Sequence, residues 1–257
     1  MNKFERAMFE IKEFDATANY GKFEIEPLEG GFGMTIGNAL RRVLLSSLPG
    51  AAVYSVKIDG AHHEFETIAG IGEDVTGIIL NVKDLILNIS DDEVYTLRVS
   101  QKGPKVVTAA DIECPTNVEI INKDQIIATL AEGAVLDMEL KARKSRGYVS
   151  AEDNKVIHQG STQEIGAIFT DSIYTPVERV KYAVEPTRVG QDSNFDRLIL
   201  EIWTNGAVEP QHALAEGAKI LMDHLEQIVS IKDAVYEQES VIKPEVAAEE
   251  NPMATMM

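Results

Sequence analysis

The pattern of apolar and polar residues predicts a strand, a glycine turn and a helix near the start of the chain. Residues 22–28, KFEIEPL, alternate as a half-buried strand does and end at a proline. Residues 29–33, EGGFG, hold three glycines, a density that a strand or helix interior tolerates poorly. Thr35 is expected to cap a helix that Pro49-Gly50 ends. Its apolar stripe lies at residues 36, 40, 43, 44 and 48.

The region from residue 51 to residue 171 has a different residue pattern, with short β-branched runs separated by glycine, proline and acidic clusters. It is expected to be mainly β. The clearest strand is 136–143, where apolar and charged residues alternate strictly. Two segments, 108–112 and 124–130, fit a turn of helix or a strand equally well. The other predicted strands are 52–58, 78–82, 85–89 and 94–99.

The last third predicts a β-hairpin, a long helix and a tail. Residues 180–185 and 198–203 are the two strands of the hairpin, with a loop at 190–194. Pro210 is expected at the first position of a helix of roughly twenty residues. Residues 233–257 are acidic, with little apolar surface to support a fold, and are expected to be a disordered tail. The helix carries a heptad-like apolar seam of Leu214, Ala218, Leu221, Leu225 and Ile228.

Composition narrows the function classes. The 257 residues include 24 basic and 42 acidic side chains, which gives a formal charge of −18. A charge of this sign excludes binding to nucleic acid by overall electrostatic attraction. No stretch approaches the ~18 uncharged apolar residues of a membrane-spanning helix, and the N-terminus lacks the apolar core of a signal peptide. One cysteine, Cys114, cannot form an internal disulfide. These features predict a cytoplasmic protein.

Candidate catalytic chemistry is sparse. The turn from Gly31 to Gly37 lies where a dinucleotide-binding loop would lie, so a stand-alone nucleotide-binding enzyme is the competing hypothesis. The spacing argues against it, because the last gap holds three residues where the G-x-G-x-x-G fingerprint has two. The five histidines lack ligand spacing, and Cys114 lacks an activating context. We therefore expect no catalytic residue, no cofactor and no metal.

Two basic features leave alternatives open. Arg41 and Arg42 lie in the first helix, and Arg42 points away from the apolar stripe with Leu45 on its side. The pair is either a solvated surface or a contact for carboxylates on a protein partner. The cluster from Lys141 to Arg146 is either the exposed face of a strand or a contact for phosphate or an acidic partner.

Three blocks of sequence resemble one family. They are FEIEPLEGGFGMTIGNALRRVLLSSLPG at 23–50, EDVTGIILNVKDL at 73–85 and TPVERVKYAVEPTRVGQDSNFDRLILEIWTNG at 175–206. Together they resemble the α subunit of bacterial DNA-directed RNA polymerase, and the likeness extends over about residues 3 to 235.

The resemblance implies an α+β fold built from discontinuous segments. Residues 1–50 and 172–232 would form a dimerisation domain, with a mainly β domain inserted at 51–171 and a flexible linker or tail at 233–257. The homodimer would be the platform on which the β and β′ subunits assemble for transcription, with nucleotidyl transfer performed by those larger subunits.

The resemblance also assigns roles to particular residues. Arg42 and Leu45 match positions that contact β, and Lys83 matches a position associated with β′. The family usually continues into a helical domain that binds promoter DNA. Because the chain ends within what resembles the preceding linker, promoter binding is not expected of it. The helices implied to pack against their symmetry mates contribute Ile36, Leu40, Leu214, Ala218, Leu221, Leu225 and Ile228.

Overall fold

The computed structural model describes residues 8–15, 17–158, 166–190 and 192–231. Within these ranges the fold is mixed α+β and its sheets are antiparallel. The helices are α1 (Phe32–Ser46), α2 (Val75–Lys83), α3 (Ala151–His158) and α4 (Pro210–Val229). The strands are β1 (Met8–Asp15), β2 (Tyr20–Glu29), β3 (Pro49–Ile58), β4 (Leu87–Ile89), β5 (Val94–Lys102), β6 (Lys105–Thr108), β7 (Val118–Ile120), β8 (Ile126–Leu130), β9 (Val135–Arg146), β10 (Tyr148–Val149), β11 (Ala167–Phe169), β12 (Ser172–Ile173), β13 (Val177–Val189) and β14 (Asp192–Thr204).

Elements from the two ends of the chain form one unit. β1, β2, β14 and β13 form a four-stranded sheet in that order, and α1 and α4 contact it. Leu198, Leu200 and Ile202 alternate along β14 and are fully buried, as is Phe23 on β2. A strand presents every second side chain to the same face, so these four form the sheet's contribution to the core beneath the helices.

The middle of the chain forms a second unit. Its largest sheet runs β5-β9-β3-β4-β7, with β11 also paired to β3, and α2 packs on β8 and β3. The alternation predicted for β9 is confirmed, because residues 136, 138, 140 and 142 are all buried while the charged residues between them are not. Residues 53–168 supply this core and residues 23–48 and 177–214 supply the other, so the described residues form two hydrophobic cores.

One predicted strand is wrong. Residues 78–82 are part of helix α2, not a strand. The Asp74 side chain caps this helix by accepting a 2.7 Å hydrogen bond from the backbone N–H of Gly77. The buried residues of the helix follow helical spacing: they are Val75, Ile78, Ile79 and Val82. A short segment rich in apolar residues is compatible with a strand or a helix, and here the cap from Asp74 favours the helix.

The helix after the glycine turn also begins differently from the prediction. Thr35 does not cap it, because α1 starts at Phe32, with Gly31 at the capping position in a left-handed conformation (φ 91°). The Thr35 hydroxyl instead donates to the Gly31 carbonyl at 3.2 Å. A residue with a β-carbon is disfavoured at that φ, so Gly31, the second glycine of the turn, sets the start of the helix.

Several other boundaries differ in smaller ways. β2 continues past Pro27 to Glu29, and the register with β14 shifts beside this proline, which has no N–H to donate to the ladder. β4 covers only the last three residues of the predicted strand 85–89, and the hairpin loop predicted at 190–194 is shorter because β14 begins at Asp192. The undecided segments become a 3-10 turn (Ala109–Asp111) and strand β8. The predicted tail, 233–257, lies outside the described residues.

The predicted hairpin and the last helix are confirmed. β13 pairs with β14 along nearly their full lengths, and α4 spans twenty residues with Pro210 at its first turn. α4 lies against α1, and Gly217 of α4 lies at this contact. A β-carbon there would stand 3.0 Å from the Leu44 side chain, so the missing side chain lets the two helices pack closely.

Candidate assembly interface

The N-terminus of α1 is closed by a carboxylate from a distant part of the chain. Asp196 Oδ2 accepts hydrogen bonds from the backbone N–H groups of Gly31 at 2.8 Å and of Gly33 at 3.1 Å. These are the unpaired donors that a nucleotide phosphate would use at a helix N-terminus. With a negative charge already on them, the turn from Gly31 to Gly37 is a poor cradle for a phosphate. Its geometry therefore disfavours the nucleotide-binding alternative.

The outer side of α1 presents the two arginines to solvent. Arg41 and Arg42 are both exposed. Within the described part of the chain the arginines that form ion pairs are Arg98 and Arg197, so neither of these two guanidinium groups is paired. Leu45, one helical turn after Arg42, is 36% exposed, while Leu44 beside it is fully buried. The structure thus brings a free planar cation and an apolar side chain together on one exposed surface. This combination suits a protein partner that presents a carboxylate.

Lys83 lies elsewhere, at the end of α2, and it has a partner within the chain. Its Nζ donates to both carboxylate oxygens of Asp171, at 2.7 and 2.8 Å. The side chains of Lys83 and Asp171 are 25% and 34% exposed. The ammonium group is therefore already neutralised locally, which bears on how this residue could act in an assembly.

The apolar seam of α4 divides into a buried half and an exposed half. Leu214 is 6% exposed and belongs to the core of its own chain, as does Leu40 of α1 at 4%. Ile36, Ala218 and Leu221 are partly buried against that same core. From residue 222 to residue 231 every residue is exposed. Large apolar side chains there are Met222, Leu225, Ile228, Val229 and Ile231, all more than half exposed.

Arg143, one member of the basic cluster of β9, contacts aromatic rings of its own chain. The Arg143 guanidinium lies 5.9 Å from the ring centres of both Tyr54 and Tyr174, and its Nε donates to the Tyr174 hydroxyl at 3.3 Å. The ring of His158, at the end of α3, stacks on Tyr54 at 4.0 Å. This arrangement supports the structural interpretation of Arg143, which packs against rings of its own chain.

His158 is the histidine with an unusual environment. Its Nε2 is buried and has no hydrogen-bond partner. Burial, reinforced by the nearby charges of Arg143 and Lys141, lowers the pKa of His158 below its ordinary value. These positively charged neighbours favour the neutral ring.

The described residues contain no group of three or more histidine, cysteine, aspartate or glutamate side chains placed to hold a metal ion. His62 and His63 lie in a loop, and His63 contacts Glu66 at 3.2 Å. Cys114 is exposed, and partial desolvation of its thiol raises the pKa of that thiol, the opposite of what activates a nucleophile. No described helix is both long and apolar enough to cross a membrane.

Sequence reasoning missed two carboxylates, Asp196 and Asp171. Each contacts residues far away in the sequence, at separations of 165 and 88 positions, so no local sequence pattern predicts these contacts. It also missed that Tyr148 and Ile173 are exposed opposite each other, at 63% and 64%. A two-stranded ladder of two residues each is too short to give a periodic signal.

The middle of the chain matches a known family. Residues 56–175 match the family model described as the RNA polymerase Rpb3/RpoA insert domain. The matched segment begins within β3 and ends after β12, and it contains Lys83 and Asp171. Members of this family are subunits of DNA-directed RNA polymerase, and they assemble with the other subunits of that enzyme. The match, which covers 120 of the 257 residues, supports an α-type subunit of RNA polymerase.

Proposed function

We propose that this chain is the α subunit of a bacterial RNA polymerase, and that it homodimerises to form the platform on which the β and β′ subunits assemble. Residues 1–50 and 172–232 are proposed as the dimerisation domain and residues 51–171 as the inserted domain. The two hydrophobic cores, which draw on separate stretches of chain, support this division. A bacterial polymerase works in the cytoplasm, which is the location we propose.

The observation that carries the dimer proposal is the exposed half of α4. Leu225 and Ile228 are 58% and 61% exposed, and they continue the seam whose first members, from Leu214, are buried in the chain's own core. Ten consecutive exposed residues rich in large apolar side chains are costly in water. A second copy crossing at the same helix would cover them, since a two-fold interface joins the same patch on both subunits.

The exposed side of α1 supports the proposed contact with β. Arg42 and Leu45 are available for a partner without disturbing the core beneath them, where Leu40 and Leu44 are buried. An unpaired guanidinium beside an apolar side chain is typical of the centre of a protein interface. In this proposal the chain contributes no catalytic group, and nucleotidyl transfer belongs to the large subunits.

Size-exclusion chromatography of the purified chain with purified β and β′ tests the proposal. We expect one peak containing all three polypeptides, with two copies of this chain. A known bacterial α subunit is the positive control for the quality of β and β′. Separate elution of this chain, under conditions where the control assembles, would refute the proposed function.

A further inference from the structure

Helix α3 is held on the largest sheet of the second unit by few of its residues. It contacts β3 and β11, and Asn154 is the buried residue among its eight. Val156 and Ile157, near its end, are 78% and 54% exposed. An isolated helix of this length is unstable in water, so α3 depends on the sheet to remain helical. Its attachments to the sheet therefore decide whether it forms.

The buried attachment of α3 is polar. The side-chain amide of Asn154 donates hydrogen bonds to the Thr170 carbonyl at 2.8 Å and to the Ser172 hydroxyl at 3.1 Å. The Ser172 hydroxyl in turn donates to the Val53 carbonyl on β3 at 2.9 Å. The other polar atom of the amide, Asn154 Oδ1, is buried without a hydrogen-bond partner among the described residues. An unpaired buried acceptor offsets much of what the two hydrogen bonds contribute, so Asn154 positions α3 but holds it weakly.

The second attachment is an aromatic stack at the end of the helix. The His158 ring lies on the Tyr54 ring, with ring centres 4.0 Å apart and planes inclined by 20°. Tyr54 is a buried residue of β3, and His158 Nε2 is buried without a hydrogen-bond partner in the described chain. A neutral ring leaves one polar atom unpaired at this position, whereas a protonated ring would place a full charge there.

The charged groups around His158 oppose its protonation further. On β9 they are Arg143 and Lys141, and the Arg143 guanidinium lies 5.9 Å from the centre of the same Tyr54 ring. β11, the other strand that α3 contacts, has no titratable residue. On α3 itself, Lys155 lies one helical turn before His158 and is exposed. Burial, and then the two cations of β9, hold the pKa of His158 below its ordinary value.

We infer that α3 is a pH-sensitive latch: it is docked on the sheet while His158 is neutral, and it leaves the sheet when His158 is protonated. Undocking returns the His158 ring to water, breaks the two hydrogen bonds of Asn154 and uncovers Tyr54. The hydrophobic core of the second unit stays intact, because neither α3 nor Tyr54 contributes to it. This inference goes beyond the proposed function and does not depend on it.

The size of the effect follows from the proton that undocking allows His158 to bind. A histidine in water has a pKa of about 6.5, and the pKa of the docked ring is lower. Falling pH therefore favours the undocked state, beginning near that ordinary value and continuing down to the pKa of the docked ring. At pH 5.5, one unit below the ordinary value, the ratio of undocked to docked α3 rises by up to about tenfold over its value at pH 7.5.

Hydrogen–deuterium exchange with mass spectrometry on the full chain measures this ratio. The exchange rate of each peptide is compared with the intrinsic rate at the same pH, which gives a protection factor. From pH 7.5 to pH 5.5 we expect the protection of α3 to fall about three- to tenfold. At both pH values α3 should be at least about tenfold less protected than α2, because undocking leaves α2 in place.

Two histidine variants assign the response to one group. His158→Phe keeps an aromatic ring on Tyr54 but cannot be protonated, so its α3 protection should change less than about twofold between the two pH values. His212→Phe, which removes an exposed histidine of α4, is the matched control and should behave as wild type does.

The polar attachment is tested at pH 7.5, where His158 is neutral. Asn154→Ala removes both hydrogen bonds and should lower α3 protection at least about threefold. Asn88→Ala, which trims an exposed asparagine on β4, is the matched control and should leave α3 protection unchanged. The melting temperature at pH 7.5 identifies a variant that fails to fold. His158→Leu or Asn154→Ser then replaces it, with the same expected result.

Four results would overturn the inference. Equal α3 protection at the two pH values in wild type would show that docking does not respond to pH in this range. A fall that persists in His158→Phe would assign the response to another group. Unchanged protection in Asn154→Ala would show that α3 is not attached through Asn154. Equal protection of α3 and α2 would show that α3 opens only when the whole unit unfolds.

Discussion

The exposed half of α4 gives the sharpest prediction about oligomeric state. Leu225→Glu replaces a leucine that is 58% exposed in the single chain and lies beyond the buried part of the seam. Full burial of a leucine contributes roughly 1.5–3 kcal/mol, so covering the exposed part of this one contributes about 1–2 kcal/mol. A two-fold interface counts each residue twice, which gives about 2–4 kcal/mol for the dimer.

That energy sets the size of the expected effect. Since each 1.4 kcal/mol is a factor of ten, Leu225→Glu should raise the dimer dissociation constant about 30-fold to 1,000-fold, and the buried carboxylate adds to the loss. Sedimentation equilibrium over a concentration series measures this constant directly. The monomer's own melting temperature should change little, because Leu225 makes no contribution to the chain's core. Leu221→Glu would be a less clean choice, since Leu221 is partly buried within its own chain.

Leu80→Glu is the matched control, because Leu80 is 55% exposed and also lies on a helix, but on α2 in the middle of the chain. It should leave the dimer dissociation constant within threefold of wild type. A Leu225→Glu protein that remains as dimeric as wild type would refute the reasoning. So would a Leu80→Glu protein that dissociates equally, since the effect would then reflect any exposed leucine.

Three further predictions follow from single side chains. Asp196→Ala removes the acceptor for the N–H groups of Gly31 and Gly33 and should lower the free energy of unfolding in urea by about 1–2 kcal/mol. Asp92→Ala, at an exposed aspartate, should lower it by under about 0.5 kcal/mol, and equal losses would contradict the capping role of Asp196. Arg42→Ala should leave the melting temperature and the dimer unchanged and weaken β capture at least tenfold; a monomeric or unfolded variant would show that Arg42 is structural. Because the pKa of His158 is lowered in the folded chain, the unfolded chain binds more protons in acid, so the stability of the fold should decrease as pH drops below about 6.5. His158→Phe should lose this pH dependence in melting curves measured from pH 8 to pH 5, and an unchanged slope would contradict the role of His158.

Strong periodicity made some elements predictable. β9 alternates over eight residues and α4 begins with a proline at a position that favours one, so local pattern and final structure agree there. Residues 78–82 show where pattern fails, because a short segment with four apolar residues out of five fits a strand, and the distinguishing feature is a cap from Asp74 outside the segment. Local rules work when the deciding residue is local.

The sequence predicted which residues of the candidate interface are exposed better than it predicted their partners within the chain. The sequence indicated that Arg42 points away from the core stripe, and the structure exposes it. The partners of Lys83 and of the glycine turn could not be predicted, because Asp171 and Asp196 reach them only through the fold. Spacing along the chain carries no signal for contacts between residues more than 80 positions apart.

The seam of α4 illustrates a third case. Periodicity placed Leu214 and Leu225 on the same stripe but could not say which of them the chain buries by itself. The structure buries Leu214 against α1 and the sheet, and leaves Leu225 in solvent. The pattern is the same in both halves of the helix, so it cannot distinguish residues buried in the chain's own core from residues left in solvent.

The central claim is that two copies of this chain form the platform for β and β′. Its most direct test is the mass of the complex formed from the purified chain, β and β′, measured by light scattering across the size-exclusion peak. The account predicts one species with two copies of this chain, one β and one β′. A chain that stays dimeric but joins neither large subunit, while a control α subunit assembles with both, would contradict the account.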